Sequence, residues 1–469
     1  MVNISITKDN KIILGCKALV GENIAELSRE YSVNRQYIYQ QKENVHKVLG
    51  DNFETPSSNT PTLLLNEEVI KRTIFGCMVT CKGSIDDTQE FLQEIYGIHI
   101  SEGKISNIMQ EYADKAKKFN QSIPLHSIEV GAHDEIFQAG EPVLVGVDVY
   151  STFIYLMESS NTRDGDAWSY ALLDKVYRGL DLTQSVNDSG TGLNKGIREV
   201  FPNISIQSDV FHAVRKISLG IHTLERTAYK VIGQEYHLTD RTLKKEEKYQ
   251  SKYYEAVIHS WKAIDLYDNA LILYSWLREI LRIGGYDYGD RMDLLKFILD
   301  EFTKLSIKSA YVEDGIKYIS GHQEELLTFV GIAEQEFRKL SIQERVDIEA
   351  LHLMWEQENY SFSSPQYNYI EARIGNLLTN QYDSIRKKYK EARDKLVRAS
   401  SIVECMNSLI RPYLFLKRVV RDNYLALLQF YLNTRKYSRS RRPERIGKSP
   451  VELLTRQPYS SPLEILQGC

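Results

Sequence analysis

The fold is decided by residues 127–160, SIEVGAHDEIFQAGEPVLVGVDVYSTFIYLMESS, where the hydrophobic period changes from that of a helix to that of a strand. Three strand-like runs, at 127–138, 142–151 and 152–160, are separated by short turns. Short turns join antiparallel neighbours, so this stretch predicts the first three strands of a sheet.

The chain that follows alternates between the two periods. An amphipathic helix is predicted at 165–180, a strand at 182–188, a second helix at 190–201 and a fifth strand at 204–211. Three strands followed by helix, strand, helix and strand is the order of a ribonuclease H-like fold, a mixed sheet covered by helices. We therefore predict an α/β core of that kind.

The core is interrupted. Residues 216–394 are polar and helical in pattern, with few Gly or Pro, and predict an inserted helical domain. The core would then consist of residues 124–215 and 395–434. Its second part begins with an amphipathic helix at 396–411, and another helix follows Pro412.

Length and composition limit the class of protein. A chain of 469 residues is too long for one ordinary domain, and 42% hydrophobic with 26% charged residues is typical of folded proteins. No stretch approaches the roughly 18 uninterrupted apolar residues of a membrane helix, and no secretory signal is visible. The five Cys are scattered and form no zinc-site pattern. We therefore expect a cytoplasmic protein without a membrane partner.

Residues 1–50 contain a helix-turn-helix pattern. Residues 21–45, GENIAELSREYSVNRQYIYQQKENV, predict two helices around a Tyr31-Ser32-Val33 corner, with Asn34 capping the second helix and Ile38 facing inward. The side chains predicted to point outward from the second helix, and so to contact DNA, are Arg35, Gln36, Tyr39 and Lys42. The alternative is a plain helical hairpin.

A Pro- and Ser-rich linker is predicted at 51–62, and a second helical unit at 63–123. Helices at 84–97 and 101–119, separated by a Gly-containing turn, again give a helix-turn-helix outline. Lys104 and Asn107 would be exposed near the start of its second helix. These residues are our second predicted DNA contact. The fold class is thus a ribonuclease H-like core with a helical insertion, preceded by all-α helix-turn-helix modules.

The net charge of the whole chain is −4, but residues 435–448 hold seven basic residues and one acidic residue. A block of one sign is typical of a phosphate-binding segment. Arg439, Arg441 and Arg442 are therefore predicted to contact DNA from a basic C-terminal tail, residues 435–469. The alternative is a solvated basic tail.

Three carboxylates stand out by position. Asp134 lies in the first strand, Asp188 ends the fourth, and Glu404 is on the helix after the insertion, places that converge at one edge of a ribonuclease H-like sheet. Converging carboxylates repel one another unless cations neutralise them, and such oxygen ligands select Mg²⁺ or Mn²⁺. Two such ions would support in-line phosphoryl transfer. The sequence therefore predicts a two-ion site.

Asp148 is an alternative to Asp134, because it also lies in a clean strand. We prefer Asp134, which leaves residues 142–157 as an intact hairpin. Glu135 should point to the opposite face from Asp134, so only one of the two can be a ligand. On the helix, Asn407 and Arg411 should share a face with Glu404 and assist it with metal and phosphate.

The chain resembles bacterial insertion-sequence transposases, DDE enzymes of the retroviral-integrase superfamily, from about residue 80 to 455. The phrases that carry the resemblance are AHDEIFQ (132–138), GEPVLVGVDVYS (140–151), SVNDSGTGLNKGIREVFPN (185–203), SDVFHAVRKI (208–217), IVECMNSLIRPYLFLKR (402–418) and NTRKYSRSRRPERIGKSPVELL (433–454). The resemblance implies that Asp134, Asp188 and Glu404 are the catalytic triad. It also implies a location at the bacterial nucleoid. The sequence departs from the family in having Asn187-Asp188-Ser189 around the second aspartate, and Val397 and Ser400 before the glutamate.

Asp209 and His212, in the phrase SDVFHAVRKI, are predicted to position the metal site rather than to bind the metal directly. The function that the resemblance implies is DNA transposition, with terminal inverted repeats and target DNA as partners and a homodimer or larger assembly on DNA. Two alternatives remain: a decayed or domesticated DNA-binding regulator, and a metal-dependent nuclease that cuts without joining.

Overall fold

The computed structural model describes residues 6–53, 65–243, 250–305, 307, 309–415 and 422–468. This part of the chain is mostly helical and contains a mixed five-stranded sheet. Contacts divide the chain into two compact units, Met1–Ile70 and Lys71–Cys469. Most of the predicted linker at 51–62 lies outside the described residues.

The first unit contains the helices α1 (Lys8–Leu19), α2 (Ile24–Glu30) and α3 (Arg35–Phe53). The side chain of Asn34 accepts a hydrogen bond from the Tyr37 amide at 2.7 Å, which caps α3. Leu14, Leu27 and Ile38 are buried together as a small core. The two helices predicted at 21–45 are confirmed, and α1 is an addition that packs against α3.

The helix α4 (Glu67–Phe75) contains the boundary between the two units, and α5 (Ile85–Tyr96) and α6 (Glu102–Ser122) follow it in the second unit. Both predicted ends of α5 and the predicted start of α6 are confirmed: Ser84 forms a capping box, Gly97 adopts φ 65° and Ser101 caps α6. The end of α6, at Ser122, is three residues beyond the predicted one. These helices belong to the same compact unit as the sheet, whereas we predicted a separate module at 63–123. The reason is the apolar face of α6, which packs against a helix near the C-terminus; the rings of Phe119 and Phe430 meet edge to face at 5.0 Å.

The sheet is formed by β1 (Val130–Gln138), β2 (Glu141–Asp148), β3 (Ile154–Ser159), β4 (Gln184–Asn187) and β5 (Ser205–Ser208). Between the last three strands lie the helices α7 (Gly165–Val176) and α8 (Thr191–Val200). The strand order is β3-β2-β1-β4-β5, antiparallel between β1, β2 and β3 and parallel between β1, β4 and β5. The predicted order of three strands, helix, strand, helix and strand is confirmed.

The inserted domain is helical throughout its described residues. Its helices are α9 (Val210–Leu243), α10 (Gln250–Ile280), α11 (Tyr288–Lys304), α12 (Ala310–Gly321), α13 (Gln323–Leu326), α14 (Thr328–Glu344), α15 (Ile348–Gln357), α16 (Pro365–Leu378) and α17 (Tyr382–Asp394). They enclose a large hydrophobic core that includes Ile217, Leu277, Phe329 and Trp355. The first helix begins at Val210, so it starts before the predicted boundary at 216 and follows β5 almost directly.

The chain returns to the sheet through α18 (Ser401–Phe415) and α19 (Asp422–Thr434). We predicted a helix at 396–411 that ends before Pro412, and both ends were wrong. The Asp209 carboxylate accepts a hydrogen bond from the Ser400 amide at 3.1 Å, and the Val210 amide donates to the Arg398 carbonyl at 3.0 Å. These bonds hold the residues before Ser401 outside the helix. Pro412 lies inside α18, where burial of Tyr413 and Leu414 offsets the lost backbone hydrogen bond.

Residues 435–468 are folded against the core and contain the short helices α20 (Pro450–Thr455) and α21 (Pro462–Gly468). We had predicted a basic tail. Arg445 is buried and donates a hydrogen bond to the Tyr150 carbonyl at 2.8 Å, and Val451 is buried in the core beneath the sheet. Buried apolar side chains thus hold the C-terminal segment against the core, although its basic charge alone suggested a solvated tail.

Among the described residues, no helix combines the length and the apolar character needed to cross a membrane.

Candidate active site

Asp134 and Asp188 are brought together by the register of two parallel strands. On β1 and β4, Val130 pairs with Gln184 and Ala132 with Val186. Asp188 directly follows the last residue of β4, two positions beyond the last β1–β4 pair, and Asp134 is two positions beyond it on β1. Both side chains are half-buried. Asp134, in the middle of β1, is therefore predicted to lie close to the carboxyl end of β4, where Asp188 follows the strand.

The Asp134 carboxylate is held from two directions. The amide nitrogen of Asn407, on α18, donates a hydrogen bond to Asp134 Oδ2 at 2.6 Å, and the backbone amide of Glu135 donates to Asp134 Oδ1 at 2.8 Å. Asn407 is fully buried. We predicted that Asn407 shares a face with Glu404 beside the apolar stripe; Asn407 is buried while Glu404 is exposed, because α18 packs closely over β1.

Burial raises the pKa of Asp134 from 3.8 to about 7. The Glu135 backbone amide opposes this shift, and the negative charges of Asp188, Glu135 and Glu404 add to it. Hence Asp188 and Glu404 both lie within electrostatic reach of Asp134. A carboxyl group in this position is half-protonated near neutral pH and gains most from a nearby cation.

Glu404 and Arg411 are exposed on α18, on the same side of the buried stripe formed by Val403, Met406 and Ile410. Glu404 precedes Asn407 by three residues, so the two side chains leave the helix about one turn apart. The stripe predicted from the sequence is therefore confirmed, and it directs the start of α18 toward Asp134. Arg411 is two turns from Glu404, with its guanidinium open to solvent.

The alternative acid, Asp148, is at a different place. It pairs with Gly131, three positions before Asp134 on β1, which is about 10 Å along the strand. Its carboxylate accepts hydrogen bonds from the amide and the hydroxyl of Ser151, so it closes the turn after β2. Asp134 lies on β1, the neighbour of β4, and within electrostatic reach of Asp188, whereas Asp148 lies on β2, on the other side of β1.

Glu135 faces the other side of β1, as alternation requires, and accepts a hydrogen bond from the Trp168 indole at 3.3 Å. Burial raises the pKa of Glu135, and the charge of Asp188 raises it further. Glu135 is thus a fourth acid within electrostatic reach of this edge.

Asp209 is buried, and its carboxylate is occupied by the protein itself. One oxygen accepts from the amides of Phe211 at 2.7 Å and His212 at 3.1 Å, and the other accepts from Ser400. Asp209 therefore joins the start of α9 to the approach to α18. The His212 ring packs against Tyr318 at 5.6 Å between centroids. Asp209 and His212 thus contact other parts of the protein, as expected of residues that position a site.

Two residues of the inserted domain contact the segment that carries Asp188. The Tyr318 hydroxyl donates to the Asp188 carbonyl at 3.0 Å, and Glu325 accepts a hydrogen bond from the Ser208 hydroxyl at 3.0 Å. The hydroxyl of Ser208 in turn bonds that of Ser189, which adopts φ 64°. Sequence reasoning missed both residues, because a Tyr and a Glu on polar helices give no signal of a partner more than a hundred residues away.

The side chains around Asp134 suit a hard divalent cation. Asp134, Asp188 and Glu404 offer carboxylate oxygens, and Asn407 adds a buried side-chain oxygen, Oδ1, that has no hydrogen-bond partner within the described part of the chain. As placed, no three acidic, His or Cys side chains of the described residues converge closely enough to enclose an ion. The donor chemistry fits Mg²⁺ or Mn²⁺, and Glu404 would have to turn inward to complete the site.

The predicted DNA contacts are mostly exposed. Arg35, Gln36 and Tyr39 are exposed at the start of α3, and Lys42 is half-buried. In the second unit the exposed predicted contacts are Lys104, Asn107, Arg439, Arg441 and Arg442. Lys104 and Asn107 lie at the start of α6, whereas the three arginines lie in an irregular segment between α19 and α20.

No protein family model matches this chain, and no curated protein matches it. Among solved structures, it is similar to the Drosophila P element transposase strand transfer complex, with 10% sequence identity and a TM-score of 0.25. The alignment covers 91% of this chain and 98% of that chain. A similarity at this TM-score carries no weight for fold or function.

Proposed function

We propose that the chain is the DNA transposase of an insertion sequence, a DDE enzyme that cleaves DNA strands at terminal inverted repeats and transfers them to target DNA. The observation that carries the proposal is that the negative charges of Asp188 and Glu404 both raise the pKa of Asp134, which places the three predicted acids within electrostatic reach of one another. The strand order β3-β2-β1-β4-β5 supports a ribonuclease H-like core.

In this proposal Asp134, Asp188 and Glu404 are the catalytic residues and would hold two Mg²⁺ or Mn²⁺ ions. Bound there, the ions would activate a water or the 3′-hydroxyl of a DNA strand as the nucleophile and would stabilise the leaving oxygen. Asp134, whose pKa is raised by burial and by neighbouring acids, would hold an ion in its deprotonated form. Asn407 holds one Asp134 oxygen and so fixes the orientation of the carboxylate.

Asp209 and His212 position the site from the start of α9. Tyr318 and Glu325 hold the Asp188 segment from the inserted domain. Arg411, two turns after Glu404, is close enough along α18 to contact a DNA phosphate. Each of these roles uses a side chain that approaches the same edge of the sheet.

DNA recognition in this proposal has two parts. The exposed residues at the start of α3 read base edges of the terminal repeats, as side chains at the start of a recognition helix do. Lys104 and Asn107 add contacts from α6, and Arg439, Arg441 and Arg442 bind phosphates without reading sequence. Cutting and joining two transposon ends requires a homodimer or a larger assembly on DNA.

The test is a strand-cleavage and strand-transfer assay on labelled duplexes carrying the repeats that flank the coding region. Cleavage followed by joining to a target plasmid, with Mg²⁺ or Mn²⁺, is the expected result. Cleavage without joining would make the chain a nuclease, and specific binding without cleavage would make it a DNA-binding regulator. Loss of cleavage in Glu404→Gln, with Glu94→Gln on the exposed face of α5 as a matched control, would tie the activity to this site.

A further inference from the structure

The first two helices of the inserted domain form a long hairpin. Helices α9 and α10 pack along their length, and only six residues separate them in the chain, so they run antiparallel. Tyr267 lies near Glu225 and Tyr229, which sets the register of the pair. The seam between the helices is made largely of small side chains, including Ala228, Ala256, Ser260 and Ala270.

A second stripe of apolar side chains runs along the hairpin outside this seam. On α9, Tyr229 is 69% exposed and Tyr236 74% exposed; on α10, Ile258 is 53% and Trp261 73% exposed. Within each helix these residues lie about 60° or less apart around the axis, because they follow spacings of three, four and seven. Exposed residues of this size at helical spacing indicate a continuous face rather than scattered surface side chains.

The stripes of the two helices lie on the same side of the hairpin. In each helix a stripe residue follows a seam residue by one position: Tyr229 follows Ala228, and Trp261 follows Ser260. One position corresponds to a rotation of about 100° around the helix axis. Because the two helices run antiparallel, this rotation away from the seam places both stripes on the same side of the hairpin. Tyr254, 58% exposed, extends this face toward the far end of the hairpin.

The size of this face matches a protein interface. Five aromatic and aliphatic side chains exposed to this extent present on the order of 600 Å² of apolar surface. The largest patch on a typical monomer covers about 300–600 Å², and a standard interface buries about 800 Å² on each partner. With its margins, the hairpin face approaches the area that a stable dimer needs.

The charge of this face argues against nucleic acid as the occupant. Its stripes end in acidic residues, Asp240 on α9 and Asp265 and Asp268 on α10. Phosphate-binding surfaces carry Lys and Arg at such positions. At the centre of the α9 stripe stands Gly233, where an added Cβ would meet nothing within 4 Å. A glycine inside an exposed helix costs about 1 kcal/mol relative to alanine, and it allows another backbone to approach closely.

We propose that this face of the α9–α10 hairpin is the surface through which two copies of the chain associate. The two hairpins would pack face to face about a twofold axis, with Trp261 and Tyr236 buried in the contact. A self-complementary apolar face is what a twofold interface requires, since each copy presents the same patch. The proposal does not depend on the catalytic function, because association would occur without DNA or metal.

The test is the mass of the full-length chain in solution without DNA, measured by size-exclusion chromatography with light scattering at protein concentrations of about 1–50 µM. The wild type should be a dimer, and Trp261→Glu and Tyr236→Glu should each raise the dissociation constant at least ~100-fold, as expected when a charge replaces a buried aromatic anchor. The control is Tyr177→Glu, which changes a Tyr that is 90% exposed near the sheet and should leave the dimer intact.

Circular dichroism must show that each variant is folded, with the helical signal and melting temperature of the wild type. A wild-type monomer at the highest concentration would overturn the proposal. A Trp261→Glu variant that remains a dimer would also overturn it. The same holds if Trp261→Glu loses DNA affinity while its oligomeric state is unchanged. If the dimer dissociates as expected but the wild type cleaves no DNA, the proposed function fails and the interface stands.

Discussion

The Tyr318 hydroxyl donates a hydrogen bond to the Asp188 carbonyl across 3.0 Å, and so joins the inserted helical domain to the acid that follows β4. The neighbouring contact between Glu325 and Ser208 makes the same connection to the next strand. The insertion is therefore part of the framework of the site. Its effect on the site should be measurable one hydrogen bond at a time.

Tyr318→Phe removes that bond without removing the ring that packs against His212. We expect cleavage to slow by about tenfold, which corresponds to the roughly 1.4 kcal/mol of one hydrogen bond near a charged group, with DNA affinity unchanged. Single-turnover cleavage and a binding titration measure the two quantities. The matched control is Tyr311→Phe, at an exposed position on the same helix. Equal rates for the two variants would remove Tyr318 from the account.

The pKa of Asp134 predicts how stability depends on pH. The folded-state pKa, about 7, is above the unfolded value of 3.8, so the folded protein binds the proton more tightly between those values. Without metal, the chain should therefore lose stability as the pH rises from about 4 to 7.

Asp134→Asn removes this penalty. The variant should be more stable than the wild type by about 2–4 kcal/mol at pH 8 and no more stable at pH 4, by urea unfolding in EDTA. Addition of Mn²⁺ should stabilise the wild type more than the variant at pH 8. An unchanged difference between the two proteins from pH 4 to pH 8 would show that Asp134 does not titrate in this range.

The predicted DNA contacts should separate into two classes. Replacing Arg439, Arg441 and Arg442 with Gln should weaken binding to every DNA sequence and lower the salt slope by about 0.9 for each lost phosphate contact. Titrations on repeat and random duplexes at several salt concentrations measure this. A loss confined to repeat DNA would mean that the arginines read sequence.

Gln36→Ala should instead reduce the difference in binding free energy between repeat and random DNA by about 1–3 kcal/mol. The dependence of DNA affinity on salt concentration should stay nearly unchanged. The matched control is Gln110→Ala, at an exposed position in the middle of α6. If Gln36→Ala weakens binding to repeat and random DNA alike, α3 is not a recognition helix.

The sequence predicted the sheet well because its strands are local signals. Residues 127–160 contain three strand-like runs separated by short turns, and Gly97 and Ser101 mark helix ends by their own backbone chemistry; these predictions are confirmed. The stripe of α18 was equally readable from helical spacing. The proximity of Asp134 and Asp188 was predicted from the order of elements, and the effect of the Asp188 charge on the pKa of Asp134 supports it.

Other features depend on contacts that no local pattern encodes. The start of α18 is set by Asp209, nearly two hundred residues earlier, and Asn407 faces inward because of how closely the helix lies over β1. The C-terminal segment looked like a solvated tail because its charge is local, whereas the burial of Arg445 depends on Tyr150. Tyr318 and Glu325 were invisible for the same reason.

The central claim is that Asp134 and Asp188 form one divalent-cation site. The most direct measurement is calorimetric titration of Mn²⁺ into the full-length chain at pH 8, comparing the wild type with Asp188→Asn and with Asp148→Asn, after circular dichroism has shown that all three are folded. The account predicts that Asp188→Asn weakens Mn²⁺ binding at least ~10-fold, as loss of a carboxylate ligand should, while Asp148→Asn binds like the wild type. Equal binding by the wild type and Asp188→Asn, or loss of binding in Asp148→Asn alone, would contradict it.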